Sequence, residues 1–504
     1  MTMKANQFVL VAGWTLALAV GCSSIPSVGP DYKARELTLP NYALPDAGKP
    51  TTNLTESCEY KPAEGAADDR VTISKDLVAQ WWNRFDDPVL SGLVESAVSN
   101  NVTYLMAQQR LSQANWELLG SYAAYLPKFE VGAAWARRWN SINTSAGKNT
   151  YNIRDFAVDG SWEIDLFGGS RRLTEAALAE AEAAGWSVAD AWLQLTTEIG
   201  RAYMGLRTTQ ARIEVARTNL VLQSETYDIL KSRLDSGIGD ELAVNQCAYI
   251  VEQTRARIPE FLAEEEAFKN ALAILAGKMP GTLHATLAAP EDGRDWLLSP
   301  QKVAELSLDM MRSRPDVKIA ERKLAAETAR IGVAKAQWYP RLFVTGTVGW
   351  QNKSSTRLFS RDAFLASLGP SVSWPIFQGG AIYANVKATE ARVEECALAY
   401  ELALENAYRD VRDAYAAYSQ EYHRYQALKG AVKAATDAVT ISKDLYKNGL
   451  KDFNNVLDAQ RSRLQFEEEY VVSRGKITTN LIDLYKSLGG GLAADEEEDE
   501  EEAD

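Results

Sequence analysis

From Asp155 to Leu166 the chain reads DFAVDGSWEIDL, and apolar and polar residues alternate with only Ala157 out of step. Phe156, Val158, Gly160, Trp162, Ile164 and Leu166 fall on one side. Asp155, Asp159, Ser161, Glu163 and Asp165 fall on the other. A repeat of two is the signature of a strand with two unlike faces. Phe364–Phe377 alternates in the same way, with Phe364, Ala366, Leu368, Val372, Trp374 and Ile376 set against Ser367, Ser371 and Ser373. Arg341–Gln351 places Leu342, Val344, Val348 and Trp350 together, and Lys128–Trp139 does so more weakly, with Phe129, Val131 and Trp135 interrupted by Arg137. The pattern predicts strands near residues 128–139, 152–167, 341–351 and 364–377.

A sheet with one face on a soluble core and one in water would show this alternation. So would a membrane-spanning β-barrel, whose strands run about 9–11 residues, apolar toward lipid, polar toward the lumen and aromatic near the interfaces. All four runs have that length and each holds a tryptophan, which favours the barrel. Four strands are too few to close one, since the smallest have about eight. The barrel reading therefore demands self-association, and three copies of four strands give twelve. Asp155, Asp159, Glu163 and Asp165 would then line the water-filled side, with Trp135, Trp162, Trp350 and Trp374 at the membrane interfaces.

Between and after these runs the period changes. Long helical stretches are predicted from Gly169 to about Ser236 and from Gly380 to about Asn448, each followed by a glycine turn and a returning helix, Asp240–Ala276 and Asp452–Leu488. Shorter helices are expected over Asp87–Tyr125 and Pro315–Tyr339. A helix of nearly seventy residues is about 100 Å long, which needs neighbours along its whole length and implies a bundle or tube.

The order of elements occurs twice. AYLPKFEVGAAW (Ala124–Trp135) matches QWYPRLFVTGTVGW (Gln337–Trp350), with Pro127 opposite Pro340. EIDLFGGS matches SWPIFQGGA, EIGRAY matches DVRDAY, RLDSGIGDELAVNQ matches LYKNGLKDFNNVLDAQ, and LAILAGK matches LYKSLGG. The offset stays near 212, so one unit of about two hundred residues is used twice. The expected divisions are an export signal at 1–21, an N-terminal segment at 22–86, a first repeat at 87–277, a link at 278–314, a second repeat at 315–488, and a glycine-rich, acidic end at 489–504.

The chain starts with Lys4, an apolar run over Phe8–Val20, and Gly21-Cys22. That run suits an export signal better than a spanning helix. Cys22, Cys58, Cys247 and Cys396 have no disulfide-framework or zinc-site spacing, and Cys247 and Cys396 read as small packing residues inside helices. Net charge is −14, but the last ten residues carry nine acids, leaving about −5 elsewhere. No basic stripe marks the body, which argues against nucleic acid as a partner. The two histidines, His284 and His423, are isolated, and no nucleophile–base set is visible, so no enzyme activity and no metal are expected. FGGS and FQGG lack the Lys-Ser/Thr of a phosphate loop and read as strand-to-helix hinges.

WWNRFDDPVL (Trp81–Leu90), SYAAYLPKFEV, WEIDLFGG, the stretch Arg312–Gly346, PIFQGG, LDAQRS (Leu457–Ser462) and LYKSLGGG (Leu484–Gly491), in this order, resemble the outer-membrane efflux lipoproteins of tripartite resistance-nodulation-division pumps, the TolC/OprM-like family. The resemblance spans roughly Cys22–Gly491. It implies an α+β membrane protein: a homotrimer with a 12-stranded β-barrel continuous with a 12-helix periplasmic α-barrel, plus a mixed equatorial domain from the segment after Cys22, the link Lys278–Ser313 and the end near Gly489–Gly491. It implies a passive exit duct in the outer membrane of a Gram-negative bacterium, partnered by a periplasmic membrane-fusion adaptor and an inner-membrane transporter.

Aligning the second glycine turn on the family's closed end puts Asp458 at one acidic position and Asn455 at the other, where the family has a second acid. Tyr446 falls on a helix-linking tyrosine and Lys451 on a basic position, while Ala243 replaces an acid in the first repeat. AVGC resembles a lipobox, which implies diacylglycerol and an N-acyl chain on Cys22, inserted in outer-membrane lipid, and no other cofactor. A type I protein-secretion channel is the alternative within this class; a periplasmic coiled-helix scaffold, without spanning strands, is the alternative outside it.

Overall fold

A computed structural model describes residues 27–33, 71–72, 80–139, 143, 150–288, 301–302, 311–448 and 450–489. The expected export signal, Cys22, Cys58, Gly449 and the acidic end lie outside the described residues. The short strand β1 (Val71–Thr72) pairs in parallel with β4 (Gln301–Lys302). Between them come α1 (Pro88–Asn100), α2 (Val102–Tyr122), β2 (Lys128–Trp139), β3 (Thr150–Ile164), α3 (Gly169–Asp235) and α4 (Glu241–Leu275). After β4 follow α5 (Pro315–Ala336), β5 (Arg341–Asn352), β6 (Phe364–Ser373), α6 (Ala381–Lys447) and α7 (Phe453–Ser487). The repeat is plain in the lengths: α3 and α6 have 67 residues each, α4 and α7 35 each.

The chain divides into two compact units. The first takes 27–33, 109–185 and 319–401; the second takes the remaining described residues. The first holds one antiparallel sheet in the order β2-β3-β5-β6. Gly349 is required there, because a Cβ would lie 2.4 Å from the Phe156 carbonyl oxygen. Residues 27–33 belong to this first unit. Val28 N–H donates to the Phe167 carbonyl (3.1 Å), and the Tyr32 hydroxyl donates to Glu321 (3.5 Å). Arg172, almost fully buried, donates to Glu175 (2.7 Å) and Asp31 and so ties the segment to the start of α3.

The second unit carries the main apolar core. Trp81 sits edge-on to Trp82 (5.9 Å) and Phe85 (6.0 Å) and stacks on Tyr485 (6.4 Å). Gly200 on α3 lets Trp81 approach, since a Cβ would fall 2.3 Å from its ring. A mid-helix glycine costs about 1 kcal/mol in propensity, which the close packing of a buried indole offsets. Arg314 donates to Asp316 (2.7 Å), Asp410 (3.3 Å) and the Ser487 carbonyl (2.9 Å), joining α5, α6 and the end of α7.

Several expected element bounds differ, three of them for a clear local reason. The helix over Asp87–Tyr125 is two helices, broken at Asn101, whose backbone is extended (φ −68, ψ 122). The Asn101 side chain accepts from Tyr104 N–H (3.0 Å) and donates to the Leu275 carbonyl (3.0 Å), so it caps the second helix. β3 ends at Ile164 rather than 167, and β6 ends at Ser373 rather than 377, just before Pro375 removes a ladder donor.

Candidate functional site: a two-faced sheet and two helical turns

The register sorts the sheet residues cleanly. On one face run Ile164–Leu342–Val372, then Trp162–Val344, then Phe129–Gly160–Gly346–Leu368, then Val131–Val158–Val348, then Phe156–Trp350–Phe364. Among the described residues much of this face is open: Phe129 is 70% exposed and Leu368 81%. From Ile164 to Phe156 the band covers about 27 Å of strand, or about 20 Å once strands tilt as barrel strands do.

Its limits are marked by chemistry. At the hairpin end lie Arg154, paired with Trp135, and Arg137, paired with Asn152 and set over the Trp139 ring (5.7 Å). Arg137, which looks like an interruption in the sequence, is therefore where the apolar band stops. Trp135 and Trp350 lie at this end, and Trp350 packs edge-on to Phe364 (6.1 Å) and Phe359 (5.6 Å). At the helix end, Trp162 Nε1–H donates to the Tyr125 carbonyl (2.9 Å) and Trp374 Nε1–H to the Trp338 carbonyl (3.0 Å). The two bonds occupy corresponding places in the two repeats to within one residue, each indole with an apolar ring and a satisfied N–H, as suits a membrane interface. Trp374 lies one residue beyond its strand.

The opposite face is polar. Asp159 accepts from the Thr347 hydroxyl (2.6 Å), Asp155 from Gln351 (2.8 Å), and Glu163 from the Arg341 guanidinium (2.7 Å). The register adds Glu130, directly opposite Asp159. Like charges in that position are unfavourable, and the Thr347 hydroxyl partly relieves them. Glu130 is absent from the set read off the sequence, although counting alternation back from Phe129 would have found it. Asp165 does not belong with these acids. It lies past the end of β3 and accepts from Arg171 N–H (3.0 Å), closing the first turn of α3.

The two glycine turns meet in an apolar cluster of the second unit: Leu230, Ala243, Val244, Cys247, Ile250, Phe453, Val456 and Leu457. Tyr446 packs on it, edge-on to Phe453 (5.2 Å) and beneath the Arg233 guanidinium (5.3 Å). Asp458 is exposed and pairs with Arg461 (3.7 Å), one turn along. Arg461 also lies over the Tyr249 ring (5.3 Å). Asn455 donates to the Asp452 carbonyl (3.1 Å), and Lys451 is exposed. Of the four residues assigned to the closed end, Tyr446 alone is built into packing; the other three stand at the surface of the single chain.

No described helix is long and apolar enough to cross a membrane. The model of the outer membrane efflux protein family matches residues 93–278 and 308–490, once per repeat. Nodulation protein T of Rhizobium leguminosarum bv. viciae is 28% identical over 457 residues, 89% of this chain and 90% of that protein. Outer membrane protein OprJ of Pseudomonas aeruginosa is 28% identical over 431 residues, 85% of this chain and 89% of that protein. The solved outer-membrane channel OprN superposes with a TM-score of 0.80 at 28% identity, over 92% of this chain and 99% of that one. The fold class expected from the alternating strands and the duplicated long helices is thus the one the chain has. The chain belongs to the outer membrane efflux protein family, and it is an outer-membrane exit duct of an efflux pump.

Proposed function

We propose that three copies close the duct and that it conducts drugs or other toxic compounds passively, without enzymatic chemistry. An inner-membrane resistance-nodulation-division transporter and a periplasmic membrane-fusion adaptor deliver the cargo. The observation that carries this reading is the four-stranded sheet itself. β2 and β6 each pair on one side only among the described residues, and the apolar face is open. Edge strands with free donors and acceptors invite pairing. Joining β6 of one copy to β2 of the next supplies that pairing and turns the apolar face to lipid.

In the closed barrel, Glu130, Asp155, Asp159 and Glu163 face the lumen. Three copies of the Glu130–Asp159 pair make a ring of carboxylates that raises the local cation concentration. In planar bilayers the duct is expected to prefer cations, and Glu130→Gln with Asp159→Asn to lower the cation/anion permeability ratio by roughly two- to threefold. Anion selectivity of the unmodified protein would refute the lumen assignment.

Tyr446, Lys451, Asn455 and Asp458 form the periplasmic aperture in this reading. Asp458→Ala should increase conductance and drug leakage; no change in either would remove Asp458 from the aperture. Lipid on Cys22 supplements the barrel as an anchor, since several acyl chains at about 0.8 kcal/mol per buried CH₂ hold firmly. Mass spectrometry of the N-terminal peptide for a diacylglyceryl cysteine tests that part alone.

A further inference from the structure

Two buried amide oxygens in the second unit have no hydrogen-bond partner among the described residues: Oε1 of Gln223 on α3 and Oε1 of Gln460 on α7. Gln223 is 2% exposed and Gln460 7%. Gln460 Nε2 donates to the Thr226 hydroxyl (3.4 Å), and Thr226 donates on to the Leu222 carbonyl (2.8 Å). From α4, the Cys247 thiol faces the backbone carbonyl of Gln223 at 3.8 Å. One layer across three helices is therefore polar. It borders the apolar cluster of the two turns, in which Cys247 itself takes part. Gln223 also lines a cavity of about 530 Å³ together with Tyr249, Gln253, Arg257, Arg461 and Glu468.

The fold does not demand glutamine at either place. At the repeat offset, Ala435 stands where Gln223 would and Ala248 where Gln460 would. A buried acceptor left without a donor costs free energy, and in folded proteins ordered water commonly meets such groups. A roomy cavity with several polar groups on its wall, as the one beside Gln223 has among apolar ones such as Ile250 and Leu464, can hold that water.

We propose that the Gln223–Thr226–Gln460 layer is hydrated and works as a break in the helix packing. Below it, the apolar cluster at the two turns opens as a unit of its own while the helices above stay packed. Interlocked apolar side chains must separate together, at the cost of exposing their surface. Water in the layer exchanges hydrogen bonds as the helices shift, so movement there exposes little new apolar area. The low-stability end of a structure is where such sub-global openings occur. The proposal stands on packing within this unit and is judged without reference to conductance, so its failure and failure of the aperture reading are separate results.

Hydrogen–deuterium exchange on the full-length protein in detergent tests it, comparing the natural sequence with Gln223→Leu/Gln460→Leu. The variant should slow exchange of amides in residues 227–246 and 450–460 by about tenfold while leaving α1 and the end of α7 unchanged. Unchanged or faster exchange at the turns would overturn the proposal. Should the variant fail to fold, Cys247 in the natural sequence serves instead. Its thiol is buried and pushed up to about 11 by that burial. Maleimide labelling of Cys247 well ahead of global unfolding supports a separately opening end; labelling only at the rate of global unfolding overturns it.

Discussion

Trp81 and Trp135 are the same side chain in opposite circumstances. Trp81 is 2% exposed, wrapped by Trp82, Phe85 and Tyr485. Trp135 is 65% exposed on a strand whose apolar neighbours, Val131 and Phe129, are as open as it is. The second unit is organised by water: it puts apolar residues inside and leaves polar ones outside. The sheet of the first unit reverses this, with acids and hydroxyls paired on one face and bare apolar side chains on the other. Burial within a single chain therefore marks the core of the second unit and says nothing about stability of the sheet in the first, whose apolar face has lipid for a solvent.

The sharpest contrast is expected from truncating each tryptophan. Trp81→Ala should cost about 3–5 kcal/mol, the usual range for an aromatic removed from a packed core, and should sharply reduce folded protein. Trp135→Ala should cost well under about 1 kcal/mol in detergent, because the ring is 65% exposed and little packing is lost. Thermal unfolding of both variants checks this, and equal losses would break the contrast.

A charge on the apolar face comes next. Val158→Arg lies mid-band and should cost about 2–4 kcal/mol per copy in a bilayer, seen as loss of trimer from outer-membrane fractions. Thr347→Arg, on the other face one strand away, should leave the trimer in place.

A smaller effect of opposite sign belongs to the water-organised unit. Burial, then the neighbouring Asp316 carboxylate, holds the Asp190 carboxyl above its ordinary value, against the pull of Lys486, Arg314 and the Gln194 amide. The folded state thus binds this proton more tightly than the unfolded one. Stability is lost as pH rises through the carboxylate range, and the loss is complete above the raised folded value. Asp190→Asn should raise the unfolding midpoint by roughly 2 °C at neutral pH and give no advantage near pH 3.

The strands and the duplication were legible because each rests on local, repeated pattern: period two over ten residues, and matches at one offset. Arg137 misled because its role depends on where the membrane boundary falls, which no single strand records. Asp165 misled because alternation continued past the point where the chain leaves the sheet, and the capping bond to Arg171 N–H decides its place. Glu130 was legible from its alternation with Phe129, but its place opposite Asp159 is a register fact that no single strand records. The break at Asn101 was local but hidden within one continuous helical pattern. Gln223 and Gln460 looked like ordinary helix residues until packing showed them buried on facing helices.

In the proposed barrel, the even-numbered face of β3 meets lipid and the odd-numbered face meets water. Spin labels placed singly at residues 155–163, in a protein with Cys58, Cys247 and Cys396 replaced and reconstituted in liposomes, measure it directly. Collision with dissolved oxygen should peak at 156, 158, 160 and 162, and collision with a water-soluble nickel chelate at 155, 157, 159, 161 and 163. Equal access of the chelate to both sets would contradict it.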